Sequence, residues 1–185
     1  MKPQEAPAAA VPAAGTGPSV EVSFPARDGH TLQGTLFNPR PGPPAPAVLI
    51  GPAMGVRRGF YARFALFLRQ QGFTVLTFDY RGIGGSAAGP SSPALHQWGE
   101  DDLHGAIAWL EERTGRPVVT VAHSVAAQLL GLCGNADRLA GIVLVTPQSG
   151  QWRLWEGWGR LRVAAFWFVG IPVVTRLFGR LPGWT

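Results

Sequence analysis

Apolar and polar residues alternate in the first part of the chain that has a regular pattern. Between Val20 and Arg40, apolar side chains recur at alternate positions, and Asp28-Gly29 divides this stretch in two. Because successive side chains of a strand point to opposite faces, the alternation predicts strands with one buried face. Asp-Gly is typical of the tight turn of a β-hairpin. The pattern therefore predicts two antiparallel strands at the start of the fold.

Continuous apolar runs follow further along the chain. They occupy residues 47–50, 73–80, 118–122 and 141–146. The run at residues 47–50, which ends in a Gly/Pro turn, favours a strand that is buried on both faces. Four more strands are therefore predicted after the hairpin.

The segments between these runs have the periodicity of amphipathic helices. The apolar positions at helical spacing are Phe60, Phe64, Phe67 and Leu68 before Gly72, and Leu103, Ile107 and Leu110 before a break at residues 114–117. These side chains are predicted to face the core. A third helix is predicted to begin at Val125. Because neighbouring parallel strands need a crossover, the alternation predicts an α/β fold, a mainly parallel sheet with helices on both faces.

Composition divides the chain into three parts. Residues 1–18 are rich in Ala and Pro and lack the charged start and apolar core of a secretory signal, which predicts a disordered tail. Residues 19–150 hold the predicted strands and helices. Residues 151–185 contain five of the seven tryptophans and are predicted to begin a helical cap. Without a recognisable targeting signal, a cytoplasmic location is the default expectation.

The C-terminal part has two interpretations. Residues 163–175 carry no charge, but this run is shorter than the roughly 20 residues that span a bilayer. Gly170 and Pro172 are also predicted to interrupt it. One interpretation is a helix that packs over the body of the protein. The other is an arginine-flanked, tryptophan-rich surface, residues 152–185, that contacts lipid or an apolar substrate.

The formal net charge of +5 does not indicate a nucleic-acid-binding surface. Residues 1–150 carry 11 basic and 10 acidic side chains, and the excess lies in residues 151–185, which have five arginines against Glu156. A nucleic-acid partner is therefore not predicted. The high content of Arg, Ala, Gly and Pro is typical of a GC-rich bacterial genome. The single cysteine, Cys133, has no partner for an internal disulfide and is predicted to be buried.

Ser124 is the candidate nucleophile. It stands between a predicted strand and a predicted helix, in the sequence Ala122-His123-Ser124-Val125-Ala126. A nucleophile elbow is usually G-x-S-x-G, because strand and helix pack so closely that the positions two before and two after the serine must be small. Alanine meets that requirement with one extra methyl group on each side. His123 is predicted to be structural, because adjacent residues in a turn point apart.

Residues 82–87, GIGGSA, match a dinucleotide-binding fingerprint that the context rejects. The fingerprint requires a helix to begin at once, so that its N–H groups can hold the pyrophosphate, whereas GPSSP follows here. No nucleotide, other cofactor or metal site is predicted.

Three motifs together resemble the α/β-hydrolase superfamily, most closely bacterial hydrolases of the serine aminopeptidase and monoglyceride-lipase-like branch. They are GPAMG at residues 51–55, DYRGIGGS at 79–86 and AHSVA at 122–126, in the family's order within residues 19–150. The resemblance implies strands one to six of the α/β-hydrolase fold. It also implies a serine hydrolase that cleaves an ester, amide or related acyl bond of a small-molecule substrate, with Ser124 as the nucleophile.

The resemblance further implies an oxyanion hole of two backbone N–H groups. One belongs to Val125, directly after the nucleophile. In the family, the other belongs to the residue after a His-Gly pair, and Gly51-Pro52 stands in that place. Ala53 is therefore the expected donor, and Met54 is the alternate donor if the loop is one residue out of register.

The base and the acid of a catalytic triad follow the serine in this family. No histidine follows Ser124, and the only acids after it are Asp137 and Glu156. We therefore expect the 185 residues to be the N-terminal, truncated part of a hydrolase that lacks the remainder of its triad. The alternative is a non-catalytic, degenerate hydrolase-fold binding module, in which Ala122 and Ala126 reflect relaxed constraint. A second alternative is a membrane-surface protein that acts through its tryptophan-rich tail. The sequence does not specify the substrate.

Overall fold

The computed structural model of the protein describes residues 18–87, 93–147 and 151–178. Its strands are β1 Ser19–Pro25, β2 Thr31–Phe37, β3 Ala47–Gly51, β4 Thr74–Phe78, β5 Val118–His123 and β6 Gly141–Val145. Its α-helices are α1 Ala62–Gln70, α2 Leu95–Gln97, α3 His104–Thr114, α4 Val125–Leu129, α5 Gly157–Ala165 and α6 Ile171–Phe178. A π-helical turn, Trp98–Leu103, joins α2 to α3, and a second, Phe166–Gly170, joins α5 to α6. Residues 1–17 of the predicted tail lie outside the described residues.

The six strands form one sheet in the order β1-β2-β4-β3-β5-β6. β1 and β2 pair antiparallel, as does β2 with β4, while β3, β4, β5 and β6 are parallel to one another. Every residue of β3 is buried, as its continuous apolar run predicts, and every residue of β4 is buried as well. The antiparallel hairpin is also confirmed, although residues 26–30 form a longer connection than a two-residue turn. Gly29 has a φ of 87° in this connection.

Helix α3 packs on the sheet through the predicted side chains, because Leu103, Ile107 and Leu110 are all buried. The predicted face of α1 is confirmed for Leu68, which is partly buried against the core with Tyr61 and Ala65, and is wrong for the phenylalanines. Phe60 is 72% exposed, and Phe64 and Phe67 are also exposed. Residues 58–61 form a 3₁₀ turn with three residues per turn, which takes Phe60 out of phase with the following α-helix. The small Ala65 then lets α1 approach the sheet closely.

Strand β6 lies at one edge of the sheet formed by the described residues. Its residues 142–145 are all apolar and are between 39% and 51% exposed, so neither face of the strand is covered. Between β5, β6 and α1 lies an apolar groove with a volume of about 610 Å³. The groove is lined by Val48, Ile50, Phe60, Tyr61, Phe64, Leu68, Phe73, Val119, Val121, His123, Val143 and Val145. Phe60 and Phe64 therefore face this groove rather than the core.

The C-terminal helices form without the predicted interruption. Helix α5, the π-helical turn and α6 follow one another directly through Gly170 and Pro172. Pro172 is the second residue of α6 and comes directly after the π-helical turn. Ten large apolar side chains between Leu154 and Leu177 are 38–81% exposed. The assignment of this segment to a cap over the body stays a prediction. In the described parts of the chain, every helix falls short of the length and apolar character needed to cross a membrane.

Candidate active site

Ser124 occupies a strained turn between β5 and α4. Its φ of 54° and ψ of −111° lie in a region that L-residues rarely adopt. The Ser124 N–H donates to the Val145 carbonyl oxygen of β6 at 3.0 Å, and the Ser124 carbonyl accepts from the Ala127 N–H at 3.1 Å. These backbone contacts hold the turn to the end of β6 and to the first turn of α4. The strained geometry is that of a nucleophile elbow, in which the serine stands at the tip of a sharp strand-to-helix turn.

The alanines of the elbow fit because glycine stands opposite them. Ala122 and Ala126 are both fully buried. A Cβ atom added to Gly51, at the end of β3, would lie 2.9 Å from the Ala126 Cβ, closer than two such carbons pack. Gly99 plays a similar part, since its added Cβ would lie 2.8 Å from the Leu129 carbonyl oxygen of α4. At position 126, the space that the usual glycine of the motif would leave is therefore provided by Gly51 of β3.

Backbone strain at Ser124 predicts an unusual order of stability among its variants. Glycine adopts positive φ without steric cost, whereas alanine keeps the strain, and both substitutions remove the hydroxyl. We expect Ser124→Gly to have a free energy of unfolding about 1 kcal/mol greater than Ser124→Ala, the strain relief exceeding the entropic cost of glycine. Urea denaturation measures the difference.

Ser23, an exposed residue in the middle of β1, is the matched control position. There the order should reverse, with Ser23→Gly less stable than Ser23→Ala by about 0.5–1 kcal/mol. If glycine also proved less stable than alanine at position 124, the turn would not be strained.

The candidate oxyanion donors lie around the same end of the sheet. Gly51 of β3 pairs with Ala122 of β5, so the loop that contains Ala53 and Met54 follows β3 at the edge where Ser124 follows β5. Val125 is buried and is the first residue of α4, where an N–H has no partner within the helix. The sequence-predicted residues are thus carried on neighbouring elements at one edge.

The Ala53 N–H is already engaged in the structure. It donates to the Tyr61 hydroxyl at 2.8 Å, while the Ala53 carbonyl accepts from the Val56 N–H at 3.1 Å. Among the described residues, no hydrogen bond involves the Met54 N–H. Of the two candidate donors in this loop, the Ala53 N–H is therefore hydrogen-bonded and the Met54 N–H is not, among the described residues.

His123 faces Tyr61. Its Nδ1 atom lies 2.9 Å from the Tyr61 hydroxyl oxygen, and the two rings meet edge to face with centroids 6.0 Å apart.

The other histidines lie in other elements: His30 in the β1–β2 connection, His96 in α2 and His104 in α3. Burial lowers the pKa of His104, and the positive charges of Arg27 and Arg138 lower it further. The structure therefore places these three side chains on elements other than the nucleophile turn.

The two acids after Ser124 do not join the nucleophile turn. Asp137 lies in a 3₁₀ turn just before β6 begins. Because β6 runs parallel to β5, the start of β6 lies at the amino ends of the parallel strands, whereas Ser124 lies at their carboxyl ends. Glu156 is exposed and precedes α5. Within the described ranges, no cluster of three or more His, Cys, Asp or Glu side chains could hold a metal ion.

Asp79, the first residue of the DYRGIGGS motif, organises the loop after β4. Its buried carboxylate accepts from the N–H of Arg58 at 2.7 Å and from the N–H of Gly85 at 3.0 Å, and it pairs with the Arg58 guanidinium. Gly84 has a φ of 48°, and a Cβ there would lie 2.5 Å from the Asp79 Oδ2. The Ser86 hydroxyl donates to the Asp79 carbonyl at 2.7 Å. These residues of the motif therefore serve the structure of the loop.

Arg81 of the same motif ties three segments together. Its Nε donates to the fully buried Asp102 at 2.7 Å, and its two terminal nitrogens donate to Asp28 at 2.7 and 2.9 Å. The Arg81 N–H also donates to Asp102, at 2.9 Å. Burial alone would lower the pKa of Arg81, but the hydrogen bonds to Asp28 and Asp102 outweigh it and raise that pKa above its ordinary value. The hydrogen bond from Arg81 in turn lowers the pKa of Asp28.

Sequence reasoning missed Tyr61 and Asp102. Tyr61 was not singled out, although it lies at helical spacing from Phe64 and Leu68. Asp102 lies one position before the buried Leu103 in a polar stretch, and its partner Arg81 is 21 positions earlier. No local signal links residues that far apart. The DYRGIGGS motif gave only an indirect hint, since its arginine requires a carboxylate partner when buried.

The sheet topology and the strained serine turn define an α/β hydrolase fold. The chain belongs to the serine aminopeptidase S33 family, because that family's model matches residues 42–179. Polyketide transferase grgF of Penicillium sp is 31% identical over 151 residues, which cover 72% of this chain and 47% of that protein. The chain thus spans about half the length of the curated relatives it matches.

Solved structures show the same fold. The α/β hydrolase GrgF from Penicillium sp. sh18 superposes with a TM-score of 0.61 at 24% identity, over 89% of this chain and 57% of that one. A highly thermostable carboxyl esterase from Bacillus coagulans superposes with a TM-score of 0.58 at 21% identity, over 70% of this chain and 44% of that one. The predicted α/β-hydrolase fold is therefore confirmed.

Proposed function

We propose that the chain carries the nucleophile and oxyanion hole of a serine hydrolase that acts on an ester, amide or related acyl bond of a small molecule. Ser124 attacks the acyl carbon, and the oxygen that becomes negatively charged binds the N–H of Val125 and one N–H of the loop after β3. The observation that carries the proposal is the strained Ser124 turn, with its φ of 54°. Such strain is costly and is typical of residues whose position serves chemistry.

The reaction divides into steps that these residues perform and steps that need a base. The turn holds the Ser124 hydroxyl at the tip, and the backbone donors stabilise the tetrahedral intermediate. Transfer of the serine proton requires a general base, and His123 has its Nδ1 turned to Tyr61. A base contributes about 10²–10⁴-fold in rate, so residues 1–185 alone should react slowly.

Imidazole supplies the base in the test of this proposal. Residues 1–185 are incubated with a fluorophosphonate probe and increasing imidazole, and the adduct is followed by intact mass and peptide mapping. We expect slow labelling that imidazole accelerates by about tenfold, less than a positioned base because free imidazole is not held in place. The adduct should map to Ser124.

Two variants control this experiment. Ser124→Ala should abolish labelling at every imidazole concentration, whereas Ser23→Ala, which removes an exposed serine of β1, should label at the wild-type rate. Labelling that persists in Ser124→Ala would place the nucleophile elsewhere. Absence of labelling in the wild type with imidazole would favour a non-catalytic binding module.

Transfer of the acyl group to an acceptor other than water is a second candidate. It is favoured by the match to grgF, which is named a polyketide transferase. The same Ser124 adduct would form in both reactions, and only its breakdown would differ.

A further inference from the structure

The hydroxyl of Tyr61 bridges the two segments that build the candidate site. Tyr61 ends the 3₁₀ turn before α1, and its side chain is buried. Its oxygen lies 2.8 Å from the Ala53 nitrogen in the loop after β3, and 2.9 Å from the His123 Nδ1 at the end of β5. Residue 124 follows directly. One hydroxyl group therefore connects the loop of the candidate oxyanion donor to the strand that carries the candidate nucleophile.

One direction within this bridge is fixed. A backbone N–H only donates, so the Tyr61 hydroxyl oxygen accepts from Ala53. The same hydroxyl group makes its second hydrogen bond with the His123 Nδ1, in which donor and acceptor follow the tautomer of the histidine. Burial raises the pKa of Tyr61, and although the Ala53 hydrogen bond acts in the opposite direction, the hydroxyl keeps its proton at neutral pH.

The bridge determines which N–H remains for an oxyanion. The Ala53 N–H points to a buried oxygen that an incoming oxyanion would have to displace. The Met54 N–H has no hydrogen bond to any described residue. The Ala53 carbonyl is also held, by the Val56 N–H, so the turn cannot rotate without breaking both contacts.

We infer that the second oxyanion donor is the Met54 N–H and that Tyr61 is the positioning residue that fixes this register of the loop. The inference rests on the proposed function of Ser124. Tyr61 does not contact the reacting atoms in this assignment; it acts through the Ala53 peptide and His123.

Tyr80 provides a matched control. It is also buried, but its hydroxyl has no hydrogen-bond partner among the described residues. Tyr61→Phe removes a hydroxyl with two partners, and Tyr80→Phe removes one with none. A general effect of losing a buried hydroxyl would appear in both variants, whereas an effect on the oxyanion loop would appear only in the first.

Amide hydrogen exchange by NMR on residues 1–185 tests the hydrogen bond without any reaction. The Ala53 amide should be protected in the wild type and in Tyr80→Phe, and should exchange at least about tenfold faster in Tyr61→Phe because its acceptor is gone. The amides of Leu49 and Thr120, in β3 and β5, should keep their wild-type rates. Unchanged exchange at Ala53 in Tyr61→Phe would overturn the inference.

Phosphonate labelling in imidazole tests the effect on chemistry. Loss of one oxyanion donor costs about 10²–10³-fold in rate, and a displaced loop should cost part of that, about tenfold, in Tyr61→Phe but not in Tyr80→Phe. Equal rates in Tyr61→Phe and the wild type would overturn the inference if Ser124→Ala is unreactive. Labelling that persists in Ser124→Ala would instead remove the proposed nucleophile, and the exchange result would still decide the Tyr61 bridge.

Backbone esters decide between the two donors even if Tyr61→Phe does not fold. An α-hydroxy acid at position 54 or 53 replaces only the N–H by oxygen. We expect the ester at 54 to slow labelling about 100-fold and the ester at 53 to slow it by no more than about tenfold. The reverse order would assign the hole to Ala53 and overturn the inference.

Discussion

Arg81→Met is expected to lower the free energy of unfolding by about 3–5 kcal/mol, because it leaves a buried carboxylate without its partner. Asp102 is fully buried and receives both the Nε and the backbone N–H of Arg81. Methionine retains much of the apolar stem of arginine, so the decrease in the free energy of unfolding measures the loss of the charge and its hydrogen bonds. Urea denaturation of the variant and the wild type measures it.

Arg138→Met is the matched control for this prediction. Arg138 pairs with Glu111 at 2.7 Å, but its side chain is 57% exposed, and exposed pairs contribute about 0–1 kcal/mol. Both variants remove one arginine from a 2.7 Å ion pair, and they differ in burial. A loss of less than 1 kcal/mol in Arg81→Met would show that water reaches Asp102.

Gly51→Ala is expected to destabilise the protein by about 1–3 kcal/mol, the usual cost of overpacking a core. The added methyl would lie 2.9 Å from the Ala126 Cβ, and it would also touch Leu103 at 3.7 Å and the Ala122 Cα at 3.8 Å. Gly51→Ala combined with Ala126→Gly should recover most of the loss, because the methyl moves from one side of the contact to the other. The coupling free energy of the double-mutant cycle measures this exchange.

Gly59→Ala provides the control for the cycle. A Cβ at Gly59 meets nothing within 4 Å, so this variant should keep nearly wild-type stability. If Gly51→Ala were equally neutral, or if Ala126→Gly failed to restore it, the contact would not be the reason for glycine at position 51.

The Gly51–Ala126 contact also bears on the alternative of a degenerate module. Alanine at positions 122 and 126 suggests relaxed constraint when the motif is considered alone. In the structure Ala126 of α4, which is larger than the usual glycine, faces Gly51 of β3, which has no side chain. The close packing of the elbow is therefore retained. The alanines are therefore compatible with a functional turn.

The order of strands and helices follows from the sequence because it depends on local patterns. The continuous run of β3 predicted a strand buried on both faces, and the spacing of Leu103, Ile107 and Leu110 predicted the buried face of α3. Burial of these residues confirms both predictions. Ser124 could also be placed at a strand-to-helix turn, because strand and helix periodicities meet there.

The buried face of α1 could not be predicted in the same way. Its phenylalanines have helical spacing, but the 3₁₀ turn at residues 58–61 changes the phase, and Ala65 rather than a large residue makes the close contact. The C-terminal helices differ from prediction for a similar reason, since a π-helical turn precedes Pro172. In each case the helix type changes within the segment, so the side chains no longer follow the period of 3.6 residues on which the prediction was based.

The sequence by itself determined the fold class and the position of the serine turn, while the candidate donors Ala53, Met54 and Val125 follow from the family resemblance and stay predictions. Only the tertiary structure showed that Tyr61 takes the Ala53 N–H, that Gly51 makes room for Ala126, and that Arg81 finds Asp102. Local patterns report the periodicity of one element, because they arise from the geometry of its own backbone. Tyr61 and His123 are 62 positions apart in the sequence. Their contact depends on how separate elements pack, and the local pattern of neither element predicts it.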